Sequence, residues 1–183
     1  EYKKDHLARI TDEEVLETIS ENKEKVPEKK SKSGIIVKGL YDVAVHFSKC
    51  CSPVPGDEIV GFVTRGRGVS IHRTDCVNIM QLPDFDRQRL IEAEWQMPDK
   101  ADSEKYEAEI QVYANNRTGL LVDISKIFTE RKIDLRSINS RTNKQERATI
   151  SMSFNVCSKQ ELNSLIEKIR QVESVLDVER TTG

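Results

Sequence analysis

Three cysteines and one histidine, in two short groups, are the residues best suited to bind a metal ion or carry out chemistry. Cys50 and Cys51 are adjacent, in a run that continues Ser-Pro-Val-Pro-Gly to Asp57, and His72 precedes Cys76 in His-Arg-Thr-Asp-Cys. Thiolate sulfur and imidazole nitrogen are the usual ligands of closed tetrahedral zinc sites. The four side chains are therefore a candidate Zn2+ site, if the chain between the groups folds back on itself.

Two other interpretations remain open on spacing alone. His46 and Cys50 repeat the His-x3-Cys spacing of His72 and Cys76, which would make a Cys2His2 site without Cys51. Alternatively, the thiols are small buried apolar side chains and His72 lies at a strand end. A disulfide is not expected, because adjacent cysteines pair only with strain and nothing in the sequence indicates secretion.

A catalytic thiol–imidazole pair is a third interpretation, which the sequence disfavours. A cysteine nucleophile needs a base that is itself held by a third group, and none is evident. No phosphate-binding loop or set of Mg2+-binding carboxylates appears in the chain. The sequence therefore predicts no catalytic residues in this segment.

A β-hairpin is predicted between the two groups of ligands. Residues 58–64 and 69–72 form its arms, and Gly66 and Gly68 provide the positive φ angles of its turn. This hairpin would return the second group to the first. A unit of about 60 residues with few aromatic side chains commonly needs an added link, such as a bound metal ion, to be stable.

The chain divides into two compact units and two linkers. Residues 1–33 are expected to be the end of an upstream helical region, with a capping box at Thr11-Asp-Glu-Glu14, followed by a linker. Residues 34–97 form the first unit, in which strands at 35–37 and 43–45 precede the hairpin, a short helix capped by Thr74 or Asp75 follows it, and a strand at 90–95 closes it. Residues 98–104 are a second linker.

Residues 105–183 carry the clearest periodicity. Alternating apolar residues predict strands at 106–113, 133–141, 147–156 and 175–180, and helical spacing predicts a helix from Leu120 to Phe128 and a second one capped by Ser158. The order βαββαβ is typical of a ferredoxin-like α+β unit, an antiparallel sheet with two helices on one face.

The composition limits the partners that can be expected. The chain has 183 residues, a net charge of −2 and no initiating Met, and we expect a fragment of a longer cytoplasmic polypeptide without a signal peptide or membrane span. With this charge, contact with RNA would have to come from a local basic patch. The candidates lie around the cysteine turn and at the hairpin tip, namely Lys49, Arg65, Arg67 and Arg73.

Residues 45–77 resemble the zinc-finger or conserved-cysteine domain of the long RelA/SpoT (Rel) proteins, through the run from Lys49 to Asp57, the segment Gly-Phe-Val-Thr-Arg-Gly-Arg-Gly-Val at 61–69, and His-Arg-Thr-Asp-Cys at 72–76. Residues 105–183 resemble their C-terminal ACT domain. The family comprises ribosome-associated synthetases and hydrolases of the alarmone (p)ppGpp. The resemblance implies a zinc-binding domain followed by an ACT domain, with the catalytic and TGS domains upstream.

The same resemblance implies ligands and partners. The metal ligands would be Cys50, Cys51, His72 and Cys76. The module would dock on the ribosome, at 23S rRNA and uncharged A-site tRNA, through an arginine-tipped loop that the metal holds rigid. It would thereby relay the starvation state to the upstream catalytic domains of the same chain.

An alternative function follows from the ACT resemblance. ACT domains commonly bind amino acids at the first strand-to-helix turn, often across a homodimer, and a helix start offers free N–H groups to a carboxylate. Here the turn comprises Asn116, Arg117, Thr118, Gly119, Leu120 and Leu121. A branched-chain amino acid such as valine or isoleucine is the expected ligand. On the residues alone, Asn116 could equally cap the helix with both leucines in the core, and a sheet edge could form the dimer.

Overall fold

Two β-sheets organise the chain in the computed structural model, which describes residues 34–40, 43–96 and 104–181. The helix expected after Thr11, the first linker up to residue 33, and all of the second linker except Glu104 lie outside the described residues. No helix within the described ranges is long and apolar enough to cross a lipid bilayer.

The first sheet has five strands in the order β1-β5-β3-β4-β2. Its elements are β1 (Ile35–Val37), β2 (Val45–Phe47), β3 (Ile59–Thr64), β4 (Gly68–Arg73), α1 (Val77–Met80), α2 (Asp84–Arg87) and β5 (Leu90–Trp95). The second strand therefore starts two residues later than predicted. The predicted cap of the short helix was wrong, because Cys76 is the N-cap of α1 and makes no side-chain cap bond, while Asp75 binds Arg73.

The predicted hairpin is confirmed as the pair β3 and β4. The strands are antiparallel, with Ile59 opposite Arg73 at the base and Thr64 opposite Gly68 at the tip. Strand β2 runs parallel to β4, and the Val69 N–H donates to the Ala44 carbonyl at 2.8 Å. A Cβ on Gly68 would lie only 2.1 Å from that same oxygen, so this position requires glycine.

The second sheet confirms the βαββαβ order. Its elements are β6 (Tyr106–Asn115), α3 (Leu120–Glu130), β7 (Leu135–Thr142), β8 (Arg147–Val156), α4 (Lys159–Arg170) and β9 (Val175–Arg180). The strands are all antiparallel, in the order β7-β8-β6-β9 of a ferredoxin-like unit. Ser158 caps α4 as predicted, since its hydroxyl accepts a hydrogen bond from the Glu161 N–H at 3.3 Å.

The cysteine turn packs against this second sheet. Val54 is fully buried, and it belongs to the same hydrophobic core as Ile110 and Leu162 of the βαββαβ unit. Nearby, the rings of Phe47, Trp95 and Tyr106 lie 5.5 to 5.7 Å apart in one aromatic cluster that spans both units. The two units therefore share buried contacts as well as the linker.

A test of this shared core is the substitution Val54→Ala. Loss of two buried methyl groups is expected to lower the free energy of unfolding by about 2 kcal/mol. Urea denaturation measures it, with Val77→Ala as the matched control, because Val77 is 37% exposed and its truncation should change the free energy little. Equal effects of the two substitutions would contradict the placement of Val54.

Candidate functional site

The two ligand groups meet at the base of the hairpin. The ligand atoms of Cys50, Cys51, His72 and Cys76 all lie within 4.8 Å of one another. The Cys50 Sγ lies 3.4 Å from the His72 Nδ1 and 3.5 Å from the Cys76 Sγ, and the Cys51 Sγ lies 3.9 Å from the same Nδ1. A tetrahedral zinc ion, with bonds of about 2.3 Å to sulfur and 2.0 Å to nitrogen, separates its ligands by about 3.5–3.8 Å. The donor set and its spacing fit a tetrahedral divalent ion.

A tight turn allows two adjacent cysteines to face one point. The Ser52 N–H donates to the Ser48 carbonyl at 3.0 Å, which closes one helix-like turn around Cys50 and Cys51. Ser52 then adopts φ 41°, in the left-handed region, and the chain reverses. His46 is exposed on β2 and does not belong to the group, so the alternative site without Cys51 is not the one that this fold assembles.

The His72 ring is held on its other side by two serines that the sequence analysis missed. Its Nε2 lies 2.7 Å from the Ser48 hydroxyl oxygen, which lies 2.6 Å from that of Ser70. When Nε2 carries the proton and donates it to Ser48, the Nδ1 lone pair points at the thiols. The alternation of Ser70 and His72 on β4 was the only sequence signal, and it does not reveal Ser48.

Burial disfavours the charged forms of Cys51, Cys76 and His72. It raises the pKa of Cys51 to about 12, against a hydrogen bond that Cys51 Sγ accepts from the Arg73 N–H at 3.3 Å. It also raises the pKa of Cys76 and lowers that of His72. A cysteine nucleophile needs the opposite shifts, towards thiolate and imidazolium. The environment of these three side chains suits a metal ion, which displaces thiol protons when it binds.

The four basic residues are not gathered into one patch. Arg65 and Arg67 are exposed at the hairpin tip. Lys49 is also exposed, but it follows β2 at the end nearest His72, roughly 13 Å of strand from the tip. Arg73 is only 7% exposed, and its guanidinium donates two hydrogen bonds to the carboxylate of Asp75.

This arrangement changes the expected role of the metal. The ligand cluster is at the base of the hairpin and the arginines are at its tip, so an ion there acts on the loop only through the paired strands. Because Arg73 is buried, the exposed basic side chains of the predicted set are the two tip arginines and Lys49.

The first strand-to-helix turn of the second unit is closed by Arg117. Its guanidinium pairs with Asp123 at 2.7 Å and donates to the Glu173 carbonyl. Gly119, at φ 82°, is the N-cap of α3. Asn116 instead donates to the Glu146 carboxylate at 3.1 Å, so the alternative in which Asn116 caps the helix is not the one that this fold adopts.

The two leucines after this turn differ in exposure. Leu120 is 2% exposed and belongs to the core, whereas Leu121 is 40% exposed. Of the pair, only Leu121 is placed to contact a ligand, so the turn offers a smaller apolar wall than the sequence predicted.

Both units match known families of protein domains. A model of the RelA/SpoT RIS domain matches residues 35–96, and a model of the ACT domain matches residues 102–180. A GTP pyrophosphokinase of Escherichia coli (strain K12) is 37% identical over 166 residues, which cover 89% of this chain and 22% of that protein. One of Streptomyces coelicolor is 39% identical over 150 residues, or 82% of this chain and 17% of the relative.

The chain thus spans about a fifth of the length of these relatives. Among solved structures, the ACT domain from the GTP pyrophosphokinase of Chlorobium tepidum is 22% identical, with a TM-score of 0.39, and the match covers 42% of this chain and 99% of that one.

Ser48→Ala tests the orientation of His72. Removal of the hydroxyl leaves the ring free to rotate, and loss of such a supporting group is expected to weaken zinc binding by about tenfold. Competition with a chromophoric chelator measures the affinity. Ser140→Ala, on the exposed strand β7, is the control. An affinity unchanged by Ser48→Ala would show that the Ser48 hydroxyl does not position the ligand.

Proposed function

Because the chain belongs to the RelA/SpoT family, of which it carries a RIS domain and an ACT domain, we propose that it is the regulatory module of a (p)ppGpp synthetase and hydrolase. The module docks on ribosomal RNA and uncharged A-site tRNA, and it relays the starvation state to catalytic domains elsewhere in the same protein. The relatives that it matches are GTP pyrophosphokinases of much greater length, which supports this division of labour.

The observation that carries the docking role is the pair of arginines on the hairpin tip. Arg65 and Arg67 flank Gly66 on an exposed turn, and the six residue pairs of β3 and β4 hold that turn away from the cores. A guanidinium binds phosphate oxygens in a fork and stacks on an unpaired base. With a net charge of −2 on the whole chain, such contact has to be local, and Lys49 adds a second point of contact at the other end of β4.

We further propose that Zn2+ holds the base of this hairpin. Cys50, Cys51, His72 and Cys76 would ligate it, and the ion would join the cysteine turn to the end of β4 and to the start of α1. A small sheet whose hydrophobic core comprises five buried side chains among the described residues gains most from such a link.

A second function, amino-acid sensing by the ACT domain, has a specific observation in its favour. Gly119 opens α3 in the left-handed conformation, and exposed Leu121 lies in the first turn of the same helix. A carboxylate at the helix start, with a branched side chain against Leu121, is the ligand chemistry that this turn fits. Strand β7, an exposed edge of the sheet, is the proposed contact of a homodimer.

The docking role is tested by the double charge reversal Arg65→Glu, Arg67→Glu. Two phosphate contacts are lost and two repulsions are added, so ribosome affinity should fall at least tenfold and its dependence on salt should weaken. Co-sedimentation with ribosomes at two salt concentrations measures both. Lys126→Glu, Lys168→Glu is the control with the same change of net charge on exposed helix positions. Unchanged binding of the hairpin variant would rule out the tip as the contact.

Calorimetry with valine and isoleucine tests the sensing role. Binding of either should release heat, and Leu121→Ser should weaken it about tenfold by removing apolar contact. Met80→Ser, at an exposed apolar position in the RIS domain, is the control. The absence of heat with both amino acids would count against a branched-chain sensor.

A further inference from the structure

The turn that presents two metal ligands is also the part of the RIS domain that docks on the ACT domain. Cys50 and Cys51 lie at its start, while its last residues contact the second sheet. Val54 is buried in the ACT core, and the Pro55 carbonyl accepts a hydrogen bond from the Lys159 N–H, at 2.8 Å, at the start of α4. Only Ser52 and Pro53 separate the second cysteine from Val54, so the two sets of contacts act on one short piece of backbone.

A buried ion pair closes this contact. Arg180 of β9 donates to both oxygens of the Asp57 carboxylate at 2.8 Å, and it donates a third bond to the Ser52 carbonyl at 3.2 Å. The Arg180 side chain is only 12% exposed and the Asp57 side chain only 3% exposed. Ser52 directly follows the second cysteine. Arg180 therefore binds the turn at Ser52 and at Asp57, the two residues that flank its Pro-Val-Pro-Gly segment.

Asp57 also fixes the shape of the turn from inside. Its carboxylate accepts the Val54 N–H at 3.0 Å, and its carbonyl accepts the Trp95 indole N–H at 3.0 Å. Burial alone would raise the pKa of Asp57, but the Arg180 guanidinium and the Val54 N–H bring it below its ordinary value. The carboxylate is therefore charged at neutral pH. Removal of Arg180 would leave this buried carboxylate with the half-exposed Lys159 ammonium, 3.7 Å from its Oδ1, and loss of the better-placed partner of a buried pair is destabilising.

We propose that Arg180 of the ACT domain, acting through Asp57, positions the turn that presents Cys50 and Cys51, so that metal binding and docking of the ACT domain strengthen each other. The proposal rests on the proposed zinc site. Arg180 is a positioning residue, because it contacts none of the four ligand side chains and acts through the backbone between them and Asp57. Linkage between two binding equilibria is reciprocal, so loss of the metal weakens docking by the same factor as loss of docking weakens metal binding.

This coupling gives the two domains a route for exchanging signals. A change at the thiols, such as loss of the ion, loosens the turn and the ion pair that it carries. A change in the ACT domain that moves β9 acts on the thiol site through Arg180. The coupling element is a physical one, a turn shared by both sites, as a claim of communication between sites requires.

Zinc competition titrations of the 183-residue chain test the first half of the linkage. Arg180→Gln should weaken zinc binding about tenfold, within the range measured when supporting groups around metal ligands are removed. Arg180→Lys keeps the positive charge but not the forked guanidinium that binds both carboxylate oxygens, and should give an intermediate affinity for zinc. Arg141→Gln, at an exposed position of β7, is the matched control and should bind as the wild-type chain does.

The fluorescence of Trp95 tests the second half of the linkage, which is the effect of the metal on the contact between the domains. Trp95 is the only tryptophan of the chain, its indole N–H binds the Asp57 carbonyl, and its ring is stacked on Phe47 with its edge to Tyr106. Removal of zinc from the wild-type chain should shift its emission to longer wavelength. In Arg180→Gln the emission should already be shifted and should change less on chelation.

The outcomes separate the coupling from the site on which it rests. One zinc ion per wild-type chain, with equal affinity in Arg180→Gln and no change in Trp95 emission on chelation, would overturn the coupling and leave the metal site intact. No zinc in the wild-type chain would overturn both. Circular dichroism confirms that each variant is folded, and Arg180→Lys provides the comparison if Arg180→Gln is not.

Discussion

The structure depends on one short turn that has to satisfy two neighbours at once. From Cys50 to Asp57 the chain closes a helical turn, reverses at Ser52, and continues through two prolines to a carboxylate. One side of this segment completes a set of three sulfurs and a nitrogen, and the other side inserts Val54 into the ACT core. Because both sides are buried, the turn cannot adjust to one neighbour without affecting the other.

The charges around this turn follow from the same constraint. A buried carboxylate is stable only with a partner, and Arg180 at the end of the last strand supplies it. Burial raises the pKa of the Cys51 and Cys76 thiols and so favours their protonated forms. One end of the turn is thus paired inside the protein, whereas the other end presents thiol and imidazole donors that a divalent ion would bind.

The ACT domain provides the larger hydrophobic core at this junction. Its strands alternate buried and partly exposed residues over ten positions in both β6 and β8, and two amphipathic helices cover one face. The RIS domain is smaller, and its hydrophobic core comprises five buried side chains in the part of the chain that the structure describes. A domain of this size relies on added links, and here a shared core, a buried ion pair and the thiol cluster all meet near its cysteine turn.

Local periodicity was enough to predict the ACT domain and the hairpin. Alternation and helical spacing are properties of neighbouring residues, so the βαββαβ order, the Ser158 cap and the pairing of β3 with β4 followed from the chain alone. Likewise, the cluster of three thiols and one imidazole was among the arrangements that the spacing allowed, and the hairpin brings these four side chains together. Boundaries and caps were less predictable, as Cys76 and Gly119 show, because several neighbouring residues were suitable caps.

Contacts between distant parts of the chain could not be predicted in this way. Nothing near Asp57 in sequence indicates that Arg180 is its partner, more than a hundred positions later, and Val54 has no local pattern that assigns it to another domain's core. The same holds for Ser48 beside His72, and for Arg73, whose predicted place around the cysteine turn suggested a surface role although the fold buries it. Sequence patterns record which residues a segment needs to fold locally, whereas burial and pairing at the junction depend on how two finished domains fit together.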